Sequence, residues 1–424
     1  MFGEMEMSND YTSQEGGPLV SLVVLAFNKL EYTKQCIESI YRYTSHISFE
    51  LITINNGSTD GTAEYFESLP NTKKLSFPEN IGVCKAFNRG FALAEGKYTM
   101  NISNDIIVTA NWLDNLLICL ETDPSVGLIV PVCNASCNYQ QVGLNFYTME
   151  EMQEAAKAYN VSNPHLWEER LKLIIYTGIY PTDILRKVGG FDEDFNPGCY
   201  DDDAISFSIR RMGYKTLLAK DTFVYHFGAR TFNAEYVKDT SLAMRNKILF
   251  VHKFGVDPYV AGLIDYNVLD ILRFGGEEEV AILGLGLSYG TTALQIKNFC
   301  NSHGSNKVDL YYLSGTNRNM VELKTICKEC AVGTVKQVSH VMGSRSYDYI
   351  LVEYDGEVLP DRTNLLGELY GLLKPGGQLV CASSTPKSAG EILWAMGSLG
   401  ASFDMQRDFY YFCFSKPADT LFIS

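Results

Sequence analysis

Three adjacent carboxylates, Asp201, Asp202 and Asp203, are the strongest candidates for acid–base chemistry in the sequence. Neighbouring carboxylates repel each other when ionised, so one of them can keep a raised pKa and act as a general base toward a substrate hydroxyl group. The triplet also precedes a helical pattern at 204–212, and the helix dipole favours acidic residues in a first turn without any catalytic role. Both interpretations stay open from these residues alone.

Two residues farther apart in the chain could hold a metal ion. Asp105 comes shortly after the predicted strand 98–102, and His226 follows the apolar run 222–225. A divalent cation that bridges a diphosphate takes carboxylate or imidazole ligands from the protein and oxygen ligands from the phosphates. If the two side chains converge, they form such a site. Otherwise Asp105 is explained as a cap at a strand end and His226 as a structural side chain.

Two polar turns occupy comparable places after predicted strands. Ala26, Phe27 and Asn28 follow the first apolar run, and the sequence NNGSTDGT follows the second, at 55–62. In an open parallel sheet a ligand binds beyond the carboxyl ends of the strands, so both turns are candidates for ligand contact. The second turn is equally compatible with an ordinary capped loop, in which glycine permits the tight turn and a serine or aspartate caps the next helix.

These residues belong to a regular alternation of strands and helices. β-branched runs predict strands, and amphipathic runs between them predict helices, an order that is typical of parallel sheets. The predicted strands lie at 20–26, 49–54, 74–77, 98–102 and 126–132, and the predicted helical segments at 32–43, 82–94 and 148–173.

We therefore predict an α/β protein with two domains. A polar lead-in at 1–17 is expected to be disordered, a first domain occupies 18–240, connecting helices occupy 241–278, and a second domain occupies 279–424. The strands of the second domain are predicted at VAILGLG, KVDLYYLS, YDYILVEY, GQLVCASS and FYYFCFS.

Composition limits the classes of function. The chain has 424 residues, 46% of them hydrophobic, which suffices for two to three domains with substantial cores. Its net charge of −15 gives no general attraction to nucleic acid or to an anionic membrane. We expect no transmembrane segment, because no apolar run approaches the required length, and the acidic N-terminus does not resemble a secretory signal. The eleven scattered cysteines are expected to be free thiols, which indicates the cytoplasm.

Six segments of the first half resemble the family-2 glycosyltransferases in their order and approximate spacing. The resemblance covers about 18–231 and implies a GT-A nucleotide-sugar-binding domain. It also implies an inverting, metal-dependent enzyme of the hexosyltransferase type, which moves a sugar from a nucleoside diphosphate, with a UDP-sugar expected, to a hydroxyl group with Mn²⁺ or Mg²⁺. The segments are VSLVVLAFN, ITINNGSTDGT, PENIGVCKAFNRGFALAEGKYTMNISNDIIV, NWLDNLL, GGFDEDF and YDDDAISFSIRRMGYK ending at VYH.

The same resemblance implies roles for individual residues. Asp105 and His226 take the places of the metal ligands, and Asp202, paired with Asp201, takes the place of the catalytic base. The residues that the resemblance places around the nucleotide are Ala26, Phe27, Asn28, Asn55, Asn80, Gly82, Asn88 and Asn104. Three departures from the family pattern are Asn55 in place of a carboxylate, Ser103 at the start of the metal triplet, and Ala204 where a further Asp is common.

The second half resembles the class I methyltransferases. A glycine-rich turn follows the strand that begins at Val280, and the run YDYILVEYDGEVLPDRTNLLGELYGLLKPGGQLVCASS carries the closest similarity. The first strand has Ile282 where that family offers an acidic residue, and the second strand ends at 311–314 without a carboxylate. Ribose hydroxyl groups buried without an acceptor cost about 1–3 kcal/mol each. We therefore predict a degenerate Rossmann-like domain that does not bind S-adenosylmethionine.

The acceptor and the role of the second domain stay open. A protein hydroxyl, such as that of a flagellin, and a glycan are both compatible with the sequence. The segment 148–173 and the second domain are expected to recognise the acceptor, and the second domain could instead support a homo-oligomer or rigidity. Two alternatives are a bifunctional glycosyltransferase and methyltransferase, and a catalytically inactive scaffold that binds a sugar nucleotide.

Overall fold

The structure is a computed structural model that describes residues 17–228, 240–343, 345–353, 362–383, 386–397, 402–406 and 410–417. The chain divides into two compact units. One comprises the chain up to Pro164 together with Lys172–Phe250, and the other comprises His165–Leu171 and the chain from Val251. The predicted lead-in lies outside the described residues except for Gly17.

The first unit is built on a mixed sheet. Its first strand, VSLVVLA, is buried along its whole length, as expected of a parallel strand that is covered on both faces. The first nine strands in chain order are β1 (Val20–Ala26), β2 (Phe49–Asn56), β3 (Thr72–Phe77), β4 (Tyr98–Ser103), β5 (Ile106–Ile107), β6 (Val126–Cys133), β7 (Trp167–Glu169), which belongs to the second unit, β8 (Thr177–Pro181) and β9 (Lys215–His226).

Strand order brings four carboxyl ends to one edge of this sheet. The order is β3-β2-β1-β4-β8-β6-β9-β5, with β3, β2, β1 and β4 parallel and β8 antiparallel to β4. Ala26 lies opposite Asn55, Asn55 lies opposite Ser76, and Leu25 lies opposite Ser103. The predicted polar turns therefore meet at the same edge.

Helices connect and cover these strands. Helix α3 lies close to the sheet at Gly90, where an added Cβ would stand 2.5 Å from Cγ1 of Val23. Helix α5 begins with a capping box between Thr148 and Glu151. Among the described residues up to Phe254, the helices are α1 (Leu30–Thr44), α2 (Thr62–Ser68), α3 (Val83–Phe91), α4 (Trp112–Thr122), α5 (Met149–Tyr159), α6 (Thr182–Val188), α7 (Asp201–Arg211) and α8 (Thr240–Phe254).

The predicted helical segment at 148–173 was wrong beyond its first half. Helix α5 ends at Tyr159, and the chain continues through a 3₁₀ turn at Pro164–Leu166 into the short strand β7. Asn160 ends the helix, and Pro164 disfavours helical backbone at the residue before it. Within the second unit, Glu169 forms an ion pair with Lys297 at 2.9 Å, and its backbone N–H and carbonyl group both hydrogen-bond to the side-chain amide of Asn298.

The second unit contains a seven-stranded sheet in the order β12-β11-β10-β13-β14-β16-β15. The strands β12, β11, β10, β13 and β14 run parallel to one another. Strand β16 pairs antiparallel with β14, and β15 pairs antiparallel with β16 at the edge of the sheet. The sequence prediction missed β12 and β15, which are only four and five residues long. The strands are β10 (Glu279–Gly286), β11 (Lys307–Ser314), β12 (Glu329–Val332), β13 (Tyr347–Val352), β14 (Leu373–Ser383), β15 (Ser402–Gln406) and β16 (Tyr410–Ser415).

The helices of the second unit alternate with its strands. An apolar core that includes Leu283, Ile350 and Phe412 lies between sheet and helices. The helices are α9 (Pro258–Ala261), α10 (Tyr266–Asp270), α11 (Thr291–Ser302), α12 (Met320–Ile326), α13 (Val338–Val341), α14 (Arg362–Gly371) and α15 (Pro386–Gly397). None of the helices in the described part of the chain combines the length and the apolar character that a bilayer crossing requires.

Candidate active site

The turns after β1 and β2 are held together by reciprocal hydrogen bonds. The backbone N–H of Asn28 donates to Oγ of Ser58 at 2.8 Å, and Oδ1 of Asn28 accepts from the N–H of Thr59 at 2.9 Å. Asn28 has a φ of 58°, a left-handed conformation that asparagine tolerates better than most residues. Ala26 is fully buried and Phe27 is half-buried beside this turn.

Asn55 and Asn80 fasten the neighbouring loops in the same way. Asn55 is 3% exposed, donates to Oγ of Ser76 at 2.8 Å and accepts from the N–H of Ser58 at 2.9 Å. Oδ1 of Asn80 accepts from the N–H of Gly82 at 2.9 Å. Gly82 has a φ of 87°, which favours glycine at the start of α3. These side chains hold the loops at the carboxyl edge of the sheet.

Two further asparagines predicted to surround the nucleotide also make internal contacts. Asn88 exchanges two hydrogen bonds with the backbone of Phe191, at 2.9 and 2.8 Å. Asn104 donates to the carbonyl oxygen of Asn28 at 2.9 Å and to Oγ1 of Thr33 at 2.8 Å. Asn88 thus anchors the loop that follows α6, and Asn104 ties the end of β4 to the end of β1.

Asp105 and His226 converge. Nε2 of His226 lies 3.3 Å from Oδ2 of Asp105, and each residue is 7% exposed. Strand pairing brings them together, because Ile106 of β5 lies opposite His226 of β9. The carbonyl oxygen of Ala135 lies 2.7 Å from Nδ1 of His226, and since a carbonyl can only accept, this nitrogen carries a proton.

The electrostatics of this pair favour a cation. Burial by itself lowers the pKa of His226, but the hydrogen bond and charge of Asp105 outweigh it and raise the pKa to about 10. Asp105 and His226, with its imidazole neutral, would be the residues that hold a divalent ion here, and the ion's charge would replace that of the imidazole proton. No group of three or more His, Cys, Asp or Glu side chains with metal-binding geometry occurs in the described ranges.

The acidic triplet is also largely removed from solvent. Asp203 is 5% exposed and pairs with Lys172 at 2.8 Å, whereas Oδ2 of Asp202 accepts a hydrogen bond from the backbone N–H of Ile175 at 3.0 Å. Burial raises the pKa of Asp202 well above its usual range, and the neighbouring Asp201 raises it further. Burial likewise raises the pKa of Asp201, to about 6.

A three-residue backbone segment, 174–176, links the acidic triplet to the Asp105–His226 pair. The N–H of Ile175 donates to Asp202, and the ring of the next residue, Tyr176, stacks on His226 with centroids 5.4 Å apart. The carbonyl oxygen of Tyr176 accepts from the N–H of Ser103 at 3.3 Å. In the sequence this segment belongs to the apolar run LKLIIY, which carries no sign of a functional site.

The sequence of this region matches a known family over residues 21–173, described as Glycosyl transferase family 2. The N-terminal region carries a family 2 glycosyltransferase domain. The domain is 32% identical over 116 residues to an uncharacterised glycosyltransferase of Haemophilus influenzae, covering 26% of this chain and 36% of that protein. It is 27% identical over 179 residues to the uncharacterised glycosyltransferase YibD of Escherichia coli, covering 40% of this chain and 50% of that protein.

The glycosyltransferase domain also has similar solved structures. A mannosyltransferase of Pyrobaculum calidifontis, in complex with GDP-Man and Mn²⁺, aligns with a TM-score of 0.40 and 18% identity over 56% of this chain and 65% of that one. GalNAc-T7 with UDP, GalNAc and Mn²⁺ aligns with a TM-score of 0.46 and 14% identity over 59% and 51%. The chain spans half or less of the curated relatives named above.

Outside the glycosyltransferase domain, the glycine-rich turn of the second unit is occupied by a side chain of the chain itself. Tyr312 is fully buried, and a Cβ added to Gly284 would lie 2.5 Å from Cδ2 of its ring. The Tyr312 hydroxyl donates to Glu353, which also accepts from Ser288 at 2.5 Å. A Cβ at Gly286 would lie 2.9 Å from the same hydroxyl oxygen. These glycines therefore make room for Tyr312.

Replacing Asp202 in the first unit with Asn should stabilise the protein, increasingly so as the pH rises. Asn keeps an oxygen to accept from Ile175 and removes a carboxyl group whose pKa is raised in the folded state. Such a group loses folding free energy as the pH rises from the unfolded pKa through the folded pKa. Urea unfolding midpoints at pH 8 should exceed those of the wild type, and the difference should shrink toward pH 4.

The matched control is Asp183→Asn, which changes an exposed aspartate on α6. Its effect should stay within about 0.5 kcal/mol at both pH values. A loss of stability in Asp202→Asn at pH 8 would contradict the assignment of a raised pKa.

Proposed function

We propose that the first unit is an inverting glycosyltransferase that moves a sugar from a nucleotide diphosphate sugar, with UDP-sugars the preferred donors, to a hydroxyl group. The acceptor is a protein, such as a flagellin, or a glycan. The observation that carries this proposal is the segment 174–176, which contacts Asp202 through one residue and His226 through the next. This segment therefore contacts both the candidate base, Asp202, and the candidate metal ligand His226 through adjacent residues.

Asp202 is the proposed general base. In the transfer, the acceptor oxygen forms a bond to the anomeric carbon, the bond from that carbon to the diphosphate oxygen breaks, and the acceptor proton passes to the Asp202 carboxylate. The Ile175 N–H holds one carboxylate oxygen, and Oδ1 makes no hydrogen bond to any residue the structure describes. Asp201 keeps the pKa of Asp202 raised, which makes Asp202 a stronger base once ionised.

Asp105 and His226 are the proposed metal ligands. A Mn²⁺ or Mg²⁺ ion supplies charge that stabilises the departing diphosphate. The residues fit such an ion because Nδ1 of His226 is held by Ala135, which leaves Nε2 directed at Asp105. The backbone N–H of Phe227 donates to the carbonyl oxygen of Asp105 at 3.0 Å, which holds the backbone of Asp105 beside the end of β9.

The nucleotide is proposed to lie against the turns after β1 and β2. Half-buried Phe27 offers apolar surface there, whereas fully buried Ala26 packs in the interior beside the turn. Oδ1 of Asn55 accepts from Ser58 and, as a carbonyl oxygen, has a second lone pair for a base N–H. Asn28, Asn80, Gly82, Asn88 and Asn104 support this surface through the internal hydrogen bonds that hold its turns.

We propose that the second unit does not bind S-adenosylmethionine and serves acceptor binding, rigidity or self-association. Tyr312 and its hydrogen bonds to Glu353 and Ser288 occupy the turn where a nucleotide cofactor would lie. All eleven cysteines are free thiols, which supports a reducing compartment such as the cytoplasm. The net charge of −15 is unfavourable for a nucleic-acid partner, so we propose none.

A panel of nucleotide sugars tests the donor side without an acceptor. Incubation with UDP- and GDP-sugars and Mn²⁺ should release free sugar slowly from at least one of them, because water can replace the acceptor. Chelator should reduce the release to background, and excess Mn²⁺ should restore it. Binding of every donor without release would instead favour a catalytically inactive scaffold.

Asp202→Asn should lower transfer turnover about 100- to 10,000-fold, the usual contribution of a general base, and leave the donor dissociation constant within about twofold. The wild-type rate should rise with pH along a limb whose midpoint lies above the usual range of aspartate, since the base must be ionised. Full turnover in Asp202→Asn, with Asp183→Asn as the active control, would remove Asp202 from this role.

Titration calorimetry with millimolar S-adenosylmethionine should give no saturable heat, because Tyr312 fills the glycine-rich turn. A titration of UDP in Mn²⁺ on the same preparation is the positive control. Saturable binding of S-adenosylmethionine would support the bifunctional alternative.

A further inference from the structure

Four aromatic rings form a continuous row beside the Asp105–His226 pair. Tyr32 stacks on Phe227 with centroids 4.3 Å apart, Phe227 meets Tyr225 edge-on at 5.1 Å, and Tyr225 meets Phe146 at 5.9 Å. All four rings are half-buried. We call Tyr32, Phe227, Tyr225 and Phe146 the aromatic row.

The aromatic row is fixed to the candidate metal pair through the backbone. Phe227 follows His226 directly, and its N–H donates to the carbonyl oxygen of Asp105 at 3.0 Å. Tyr225 precedes His226 and lies opposite Ile107 of β5. The row therefore begins at the residues proposed to hold the diphosphate, where the acceptor must approach the anomeric carbon.

The row combines apolar ring surface with unused hydrogen-bonding groups. The hydroxyl groups of Tyr32 and Tyr225 make no hydrogen bond to another residue in the ranges that the structure describes. Amphipathic aromatic side chains of this kind bind ligands that have both an apolar face and polar edges. A pyranose ring has both, since its axial C–H groups form an apolar face and its hydroxyl groups point outward.

We propose that the aromatic row binds a carbohydrate acceptor, with a pyranose residue packed on Tyr225 and Phe146. This inference rests on the proposed function and makes it more specific, because it favours a glycan over a protein hydroxyl. Phe146 lies just before α5 and just outside the segment 148–173, which the sequence predicted to recognise the acceptor. The row also explains why aromatic residues flank His226 on both sides.

Two variants test the row directly. Phe146→Ala removes a ring and Tyr225→Phe removes only a hydroxyl group. The probes are the methyl glycosides of glucose, galactose and N-acetylglucosamine, with a serine-containing peptide as the protein-type acceptor. Saturation-transfer NMR in the presence of UDP and diamagnetic Mg²⁺ gives the dissociation constant of each probe. At least one glycoside should bind the wild type, Phe146→Ala should weaken it at least tenfold, and Tyr225→Phe should weaken it less.

The matched control is Tyr41→Ala. Tyr41 also packs on a neighbouring ring, Phe49 at 6.2 Å, but Phe49 lies at the amino end of β2, opposite the edge that carries the site. This variant should leave glycoside binding unchanged.

Three results would overturn the inference: binding of no glycoside, tighter binding of the peptide with the same dependence on Phe146, or an equal rise in the dissociation constant of UDP in Phe146→Ala. The last result would mean that the rings hold the donor. Hydrolysis of nucleotide sugars by the wild type is measured in parallel. It reports on the proposed function alone, so hydrolysis without glycoside binding overturns only the aromatic row.

Discussion

The arrangement of the site depends on one short stretch of backbone, the segment 174–176. Asp202 lies in the first turn of α7 and His226 ends β9, and neither element by itself determines where the other lies. Ile175 and Tyr176 connect them, through a backbone hydrogen bond on one side and a stacked ring on the other. The hydroxyl group of Tyr176 donates to the carbonyl oxygen of Pro131, which holds the ring on β6. An unsatisfied buried N–H costs about 1–3 kcal/mol, so this segment resists displacement.

The sequence predicts β1, β2 and β6 because these strands are largely continuous apolar runs, but it did not predict the short strands β5 and β8. It also predicts that Asp105 and His226 stand at strand ends, and only the pairing of β5 with β9 brings them within 3.3 Å. The segment 174–176 escapes prediction because it acts through backbone groups and an apolar ring, which carry no sign of chemistry in a sequence. The helix predicted at 148–173 was too long, because local helix propensity does not show that the chain leaves the first unit at residue 165.

The asparagines illustrate a second limit of sequence reasoning. Asn28, Asn55, Asn88 and Asn104 were predicted to surround a nucleotide, and each uses its amide group to hold one turn against another. An amide can donate and accept with equal ease to a ligand or to the backbone, so its position in a pattern does not separate binding from support. Glycines show the same ambiguity. Gly284 and Gly286 match a nucleotide-binding turn, yet the space above them is taken by Tyr312.

The path of the chain at 165–171 has a consequence for engineering. These seven residues interrupt the first unit, join the second through Glu169, Lys297 and Asn298, and return at Lys172, only a few positions before the segment that touches both Asp202 and His226. The first unit is consequently not one continuous stretch of chain. Cutting the chain after Phe250 would remove Lys297 and Asn298, the residues that Glu169 contacts.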